Sequence, residues 1–183
     1  MKKTILTFGL ISGVLMSLMM AATVPFADRI GFDKGEVVGY ATMVLAFLLV
    51  FFGIRFYRED ACNGQITFAK AFAVGISIML ITCVFYVVTW EILYFKVMPD
   101  FMDKYAAYMV AKLQASGASA AAIQAQVEQM NKFKGLYNNP LYNAAVTFLE
   151  PLPVGLVITL VSAAVLRRKA PPEAAAASLP ASS

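Results

Sequence analysis

The chain has 183 residues, of which 60% are hydrophobic and 14% charged, and its mean hydropathy is +0.71. That leaves too little polar surface to coat a soluble domain of this size, and the absence of histidine excludes imidazole-ligated haem, zinc–histidine sites and every Ser-His or Cys-His nucleophile pair. The net charge of +4 comes from residues bunched at the ends of apolar stretches, so the basic pI of about 9.1 is no argument for nucleic acid.

Four apolar stretches follow one another, about 4–24, 37–54, 71–95 and 144–166. A helix rising about 1.5 Å per residue needs about 20 residues to cross a hydrocarbon core of about 30 Å, which the four stretches supply. The first follows Lys2 and Lys3 and ends in Ala21-Ala22. It is longer than a signal-peptide core and has no clean small-x-small site before Asp28, so it reads as a retained helix. A short loop from Pro25 to Glu36 leads into the second stretch, and a second loop from Arg55 to Lys70 into the third. In that second loop Gly64 precedes Thr67, which is placed to cap a helix continuing to Val97, where Met98-Pro99 stops it. Trp90, Tyr94 and Phe95 then lie at the outer headgroup level.

Between the third and fourth stretches, about 99–138, apolar residues recur at helical spacing: Phe101, Tyr105, Tyr108, Met109 and Leu113, then Ile123, Val127, Met130 and Tyr137. Gly117 reads as a helix stop and Ser119 as the next N-cap, which makes this region a helical hairpin with one apolar face. That face either packs on the outer end of the bundle or meets a partner or the lipid surface. Asn139-Pro140 suits a fresh helix start, and 170–183, rich in Ala, Pro and Ser, reads as a disordered cytoplasmic tail.

Lys2, Lys3, Arg55, Arg58 and Arg167 to Lys169 border the short loops and ends, whereas the lysines from Glu91 to Asn143 are diluted along a long loop. Short loops decide orientation, so both termini are expected in the cytoplasm and the hairpin outside. Arg55 and Arg58 read as cytoplasmic anchors. Cys62 and Cys83 have no partner at redox or metal-binding spacing, and no disulfide, metal or other cofactor is expected.

Small residues at four-residue spacing, among them Gly9 and Gly13 in the first stretch, Gly75 in the third and Gly155 in the fourth, mark close helix packing. It is left open whether the first-stretch GxxxG meets a helix of its own chain or a second copy in a homodimer. The most pointed feature is Glu150-Pro151-Leu152-Pro153. From Val154 to Leu166 there is about 20 Å of helix, too short to span, so the last span must reach back past Pro151 and draw Glu150 into the membrane. Pro151 and Pro153 break the helix and free the carbonyls of Thr147 and Leu149 beside that carboxylate. Counting outward from Lys70 puts Glu91 near the same depth, so the two acids form a candidate proton or cation site. The bland alternative has Glu91 solvated at the headgroups and Glu150 paired with a Tyr, Asn, Arg or Lys.

A large second outer loop is similar to that of tetraspanins, but their cysteine-rich motif is missing. A closer resemblance lies in Gly64-Gln65-Ile66-Thr67-Phe68-Ala69-Lys70-Ala71-Phe72 followed by Gly75, in Ser116-Gly117-Ala118-Ser119, in Asn139-Pro140, and in Pro153-Val154-Gly155-Leu156 with the closing Leu166-Arg167-Arg168-Lys169. Over about Lys3 to Lys169 this resembles the bacterial membrane family of domain of unknown function 4199. The resemblance implies a bacterial inner-membrane protein with four spans and brings no catalytic residues. The hairpin departs from the acidic character associated with that family, being alanine-rich from Ala118 to Ala122, so no charge-based role is carried over to it.

The expectation is therefore an all-α membrane protein, a single four-span domain over 1–169 with an extramembrane helical hairpin between the third and fourth transmembrane helices. In function it is expected to be a non-enzymatic interaction or assembly component of the bacterial inner membrane, in contact with the bilayer and with a protein partner through the hairpin. The alternative is a small proton- or cation-coupled transporter using Glu150 and Glu91. An enzyme acting on lipid has no residue to carry it.

Overall fold

The computed structural model of the chain describes residues 1–168, so the tail expected over 170–183 lies outside the described residues. The helices are α1 (Lys2–Thr23), α2 (Ala27–Ala61), α3 (Phe68–Ile92), α4 (Phe101–Ala115), α5 (Ala120–Tyr137), α6 (Pro140–Leu149) and α7 (Leu152–Leu166). Three continuous helical stretches are long and apolar enough to cross a membrane: Lys2–Ala61, Phe68–Val97 and Pro140–Leu166. The first is not one rod. A 3-10 turn at Val24–Phe26 and a left-handed Gly31 (φ 72°) interrupt it, and α1 folds back to pack on α2. The loop expected from Pro25 to Glu36 is therefore helical apart from Gly31, because a single positive-φ residue is enough to redirect the chain.

α3 is the hub, packed against α1, α2, α6 and α7. Its start is fixed by Thr67, whose side chain accepts from the Lys70 amide, and its end widens into a π-turn at Leu93–Val97 before Pro99. The outer faces are apolar, unlike those of a water-soluble bundle, and several small polar residues lie inside. Ser12, Thr42, Thr82, Thr159 and Ser162 are buried, while Leu18, Val44, Phe52, Val84, Val157 and Val165 are exposed along the outer faces. With apolar lipid outside, burying leucine against leucine gains little, and close contact of small residues and internal hydrogen bonds hold the helices together. Ser12 Oγ, for example, donates to the Ala46 carbonyl at 2.8 Å, which pins α1 to α2.

The four glycines of the small-residue stripes all meet neighbouring helices within the chain. A Cβ at Gly9 would lie 2.8 Å from Ile81, and one at Gly13 would lie 2.5 Å from Phe85, so the GxxxG face of α1 is covered by α3. Gly75 abuts Ile54 and Thr159, and Gly155 abuts Met79 and Phe47. Met16, Phe47, Val50, Ile54, Ile78 and Met79 fill the axis between the helices.

Arg58 corrects its reading as a simple anchor. It is buried, and its Nη1 donates to the Leu166 carbonyl at 3.2 Å, so a guanidinium closes the C-terminal end of α7. Beside it, Asn63 and Gly64 turn the chain in the left-handed region, and Ile66 and Arg168 exchange backbone hydrogen bonds of 3.0 and 2.9 Å. The Gly64-Gln65-Ile66-Thr67 loop is thereby stapled to the end of the last helix.

Candidate functional site

At the other end of the bundle α3, α6 and α5 enclose a polar cluster. Asn143 and Thr147, at i and i+4 on one face of α6, are buried toward α3 and α5, while Glu150, at i+7 and just past the last residue of the helix, stays exposed. Asn139 starts the helix by accepting from the amides of Leu141 and Tyr142, with Pro140 at its first position.

The cluster contains a closed relay. Trp90 Nε1 donates to the Tyr137 hydroxyl at 2.9 Å. Thr147 Oγ1 donates to Asn143 Oδ1 at 3.1 Å, so at the 3.4 Å contact between Tyr137 and Thr147 the tyrosine is the donor. Asn143 Nδ2 returns to the Tyr137 carbonyl at 3.2 Å. Asn143 and Thr147 are almost wholly buried, and each polar atom of the relay has a partner, which is what a dry site requires. Beside it Tyr94 donates to Asn138 Oδ1 at 2.8 Å.

Glu150 adjoins this relay. Tyr86, buried in α3, donates its hydroxyl to Glu150 Oε2 at 2.8 Å. Glu91 stands elsewhere: it is half-buried, and its Oε1 is sealed from solvent without a hydrogen-bond partner. Glu91 lies five residues beyond Tyr86 along α3, and no hydrogen bond joins it to Glu150 among the described residues. Pro151 and Pro153 interrupt the hydrogen bonding between α6 and α7 without turning the chain, since Glu150 and Pro151 both keep right-handed helical angles and the Gly155 amide bonds the Pro151 carbonyl at 2.9 Å. The carboxylate is thus held at a seam inside a 27-residue helical stretch.

Outside this seam the hairpin of α4 and α5 closes over the end of the bundle. Tyr94, Met102 and Tyr137 form a small core with Trp90, Phe101, Tyr105 and Phe133 around it. Phe32 near the start of α2 lies 5.8 Å from the ring of Phe101, 5.4 Å from Tyr105 and 5.0 Å from Tyr108. Lys104 pairs with Asp28 at 3.3 Å and Lys112 with Asp33 at 2.7 Å, and Lys134 with Asp103 joins the two hairpin helices. Lys112 and Tyr108 hold the Asp33 carboxyl below its ordinary range, and Asp33 in turn raises Lys112.

The sequence reading found Glu150 and Glu91 and allowed Glu150 a tyrosine partner, which is Tyr86, but it did not bring Trp90, Tyr137, Asn143 and Thr147 together. One signal was available: an asparagine, a threonine and a glutamate at helical spacing in an otherwise apolar helix. Tyr86 carries no comparable signal.

No curated protein and no solved structure matches the chain. A family model described as Protein of unknown function (DUF4199) matches residues 7–168. That range takes in every helix from the body of α1 to the end of α7, the stapled loop and the polar seam, and the chain belongs to the DUF4199 family.

Proposed function

We propose that this chain is a four-span protein of the bacterial inner membrane with both termini in the cytoplasm, and that it acts without catalysis as an interaction or assembly component. Its outer hairpin would be the surface for a protein partner. The observation that carries this reading is the docking of the hairpin: an aromatic core and cross-pairs to Asp28 and Asp33 seat the apolar face of α4 and α5 on the bundle and leave a polar face, with Gln129 and Lys132 of α5, outward for a partner. A filled bundle axis supports a scaffold over a conduit. A photo-crosslinking residue at Gln129 should capture one discrete protein in native membranes, whereas the same residue at exposed Val161 of α7 should capture lipid. Capture of nothing but lipid from both positions would refute the role.

Glu150 favours a second reading, a small proton- or cation-coupled transporter. A carboxylate bonded to one buried tyrosine at a helix seam, with a second acid whose Oε1 lacks a partner, is a grouping that binds protons or cations in some transporters. Gradient-driven flux into proteoliposomes that is lost in Glu150→Gln would support it, and unchanged flux would remove Glu150 from any mechanism.

A further inference from the structure

The inner end of α1 and α2 forms a groove that none of the foregoing uses. It has a volume of about 300 Å³ and is lined by Phe8, Phe52, Arg55, Phe56 and Glu59. Phe8 and Phe56 meet at a tilt with their ring centroids 5.7 Å apart, and Phe52 and Phe56 are half exposed, so the floor is apolar and open to the side. Its two charges differ in how they are used. Arg58, the neighbour of Glu59, is spent on the Leu166 carbonyl and on Glu59 Oε1. Arg55 makes no ion pair among the described residues, and Glu59 Oε2 accepts no hydrogen bond among them. Arg58 keeps Glu59 ionised by holding its carboxyl below the usual range, with Arg168 and Arg55 adding to the effect.

Arg55 and Glu59 are one helical turn apart on one face of α2, with Glu59 about 6 Å farther from the apolar span. From the span outward, the groove therefore presents apolar rings, then a cation, then an anion. We propose that this groove binds a zwitterionic phospholipid carrying a primary amine, with an acyl chain on Phe8, Phe52 and Phe56, the phosphate on Arg55 and the ammonium on Glu59 Oε2. The order of the three elements along the helix matches the order of the three parts of the lipid. A simple basic patch would favour anionic lipid, but a carboxylate with a free oxygen at the rim opposes a purely anionic headgroup and supplies the acceptor that an ammonium needs. Arg55, as a planar fork, suits the phosphate better than lysine would. The assignment rests on the four-span reading, which puts Arg55 at headgroup depth.

The test is native mass spectrometry of the protein released from mixed nanodiscs holding equal amounts of phosphatidylethanolamine, phosphatidylcholine and phosphatidylglycerol. The wild type should retain the ethanolamine lipid about tenfold over the choline lipid, the size of one charge-assisted hydrogen bond. Glu59→Gln should erase the preference between those two, and Arg55→Gln should reduce retention of all three. Equal retention of ethanolamine and choline lipids, or preference for the glycerol lipid in the wild type, overturns the inference. Arg55 and Glu59 are exposed, and an unchanged elution profile verifies that the variants fold. Separately, Phe52→Trp should be quenched by lipids brominated on the acyl chain. Absence of quenching would sink the four-span reading and the inference with it, whereas quenching without headgroup preference would sink the inference alone.

Discussion

Replacing Gly13 and Gly39 by alanine should shift stability in opposite directions. Alanine is the better helix former at both sites, by up to about 1 kcal/mol. At Gly39 in α2 an added Cβ meets nothing within 4 Å, so the gain is kept and Gly39→Ala should stabilise by about 0.5–1 kcal/mol. At Gly13 the Cβ would lie 2.5, 2.6 and 2.9 Å from atoms of Phe85, including that residue's own Cβ, so the ring cannot simply swing away and α1 must move off α3. Overpacking of this kind costs about 1–3 kcal/mol and outweighs the propensity gain. For a chain of this length the expected change is a midpoint about 3–6 °C lower for Gly13→Ala and about 2 °C higher for Gly39→Ala. Buried Cys83 supplies the assay: in a Cys62→Ser background a thiol-reactive dye reports unfolding of the core in mild detergent. Shifts of the same sign would refute the α1–α3 contact. A Gly13 shift that grows as the protein is diluted would place that glycine against a second copy instead of Phe85.

Arg58→Gln removes the charged donor from the Leu166 carbonyl and the partner of Glu59, and should lower stability by about 1–3 kcal/mol in the same dye assay; an unchanged melt would mean the α7 end needs no such closure. Docking of α4 should be sensitive to salt and to both extremes of pH. Asp33 titrates below its ordinary value of 3.8, so its contribution is present above that pH and is lost as pH falls through the lowered folded value. Lys112 titrates above its ordinary 10.5, so its contribution is present below that pH and is lost as pH rises through the raised value. Amide protection factors in α4, which correct for the intrinsic pH dependence of exchange, should therefore be highest across neutral pH, lower in about 1 M salt where the screening length is about 3 Å, and lower in Lys112→Gln; indifference to salt and to the substitution would rule out the pairs as tethers. Tyr86→Phe and Glu150→Gln should be non-additive, with a coupling of about 1 kcal/mol across the α3–α6 seam, and strict additivity would show that the hydrogen bond contributes nothing.

Elements that depend on local chemistry were legible in the sequence. Thr67, Ser119 and Asn139 each accept a backbone amide at the start of a helix, and Gly117 turns with a positive φ where a stop is expected. What the sequence withheld was azimuth. A run of apolar residues states how far along a helix a charge lies but not which way it points. Arg58 therefore reads as a headgroup anchor, although it turns inward to meet the end of a helix 108 residues later. Glu150 is a second case: counting from Lys70 places Glu91 along α3, but only the packing of α6 on α3 shows that Glu150 meets the Tyr86 hydroxyl. The polar face of α6 shows where the missing information lies. Asn143, Thr147 and Glu150 can be aligned by period alone, yet their partners come from two other helices: Tyr137, itself held by Trp90, for the first two, and Tyr86 for Glu150. In a membrane bundle the partners of an acid arrive across helices, and only the helix packing decides which carboxylate is bonded and which oxygen is left without a partner.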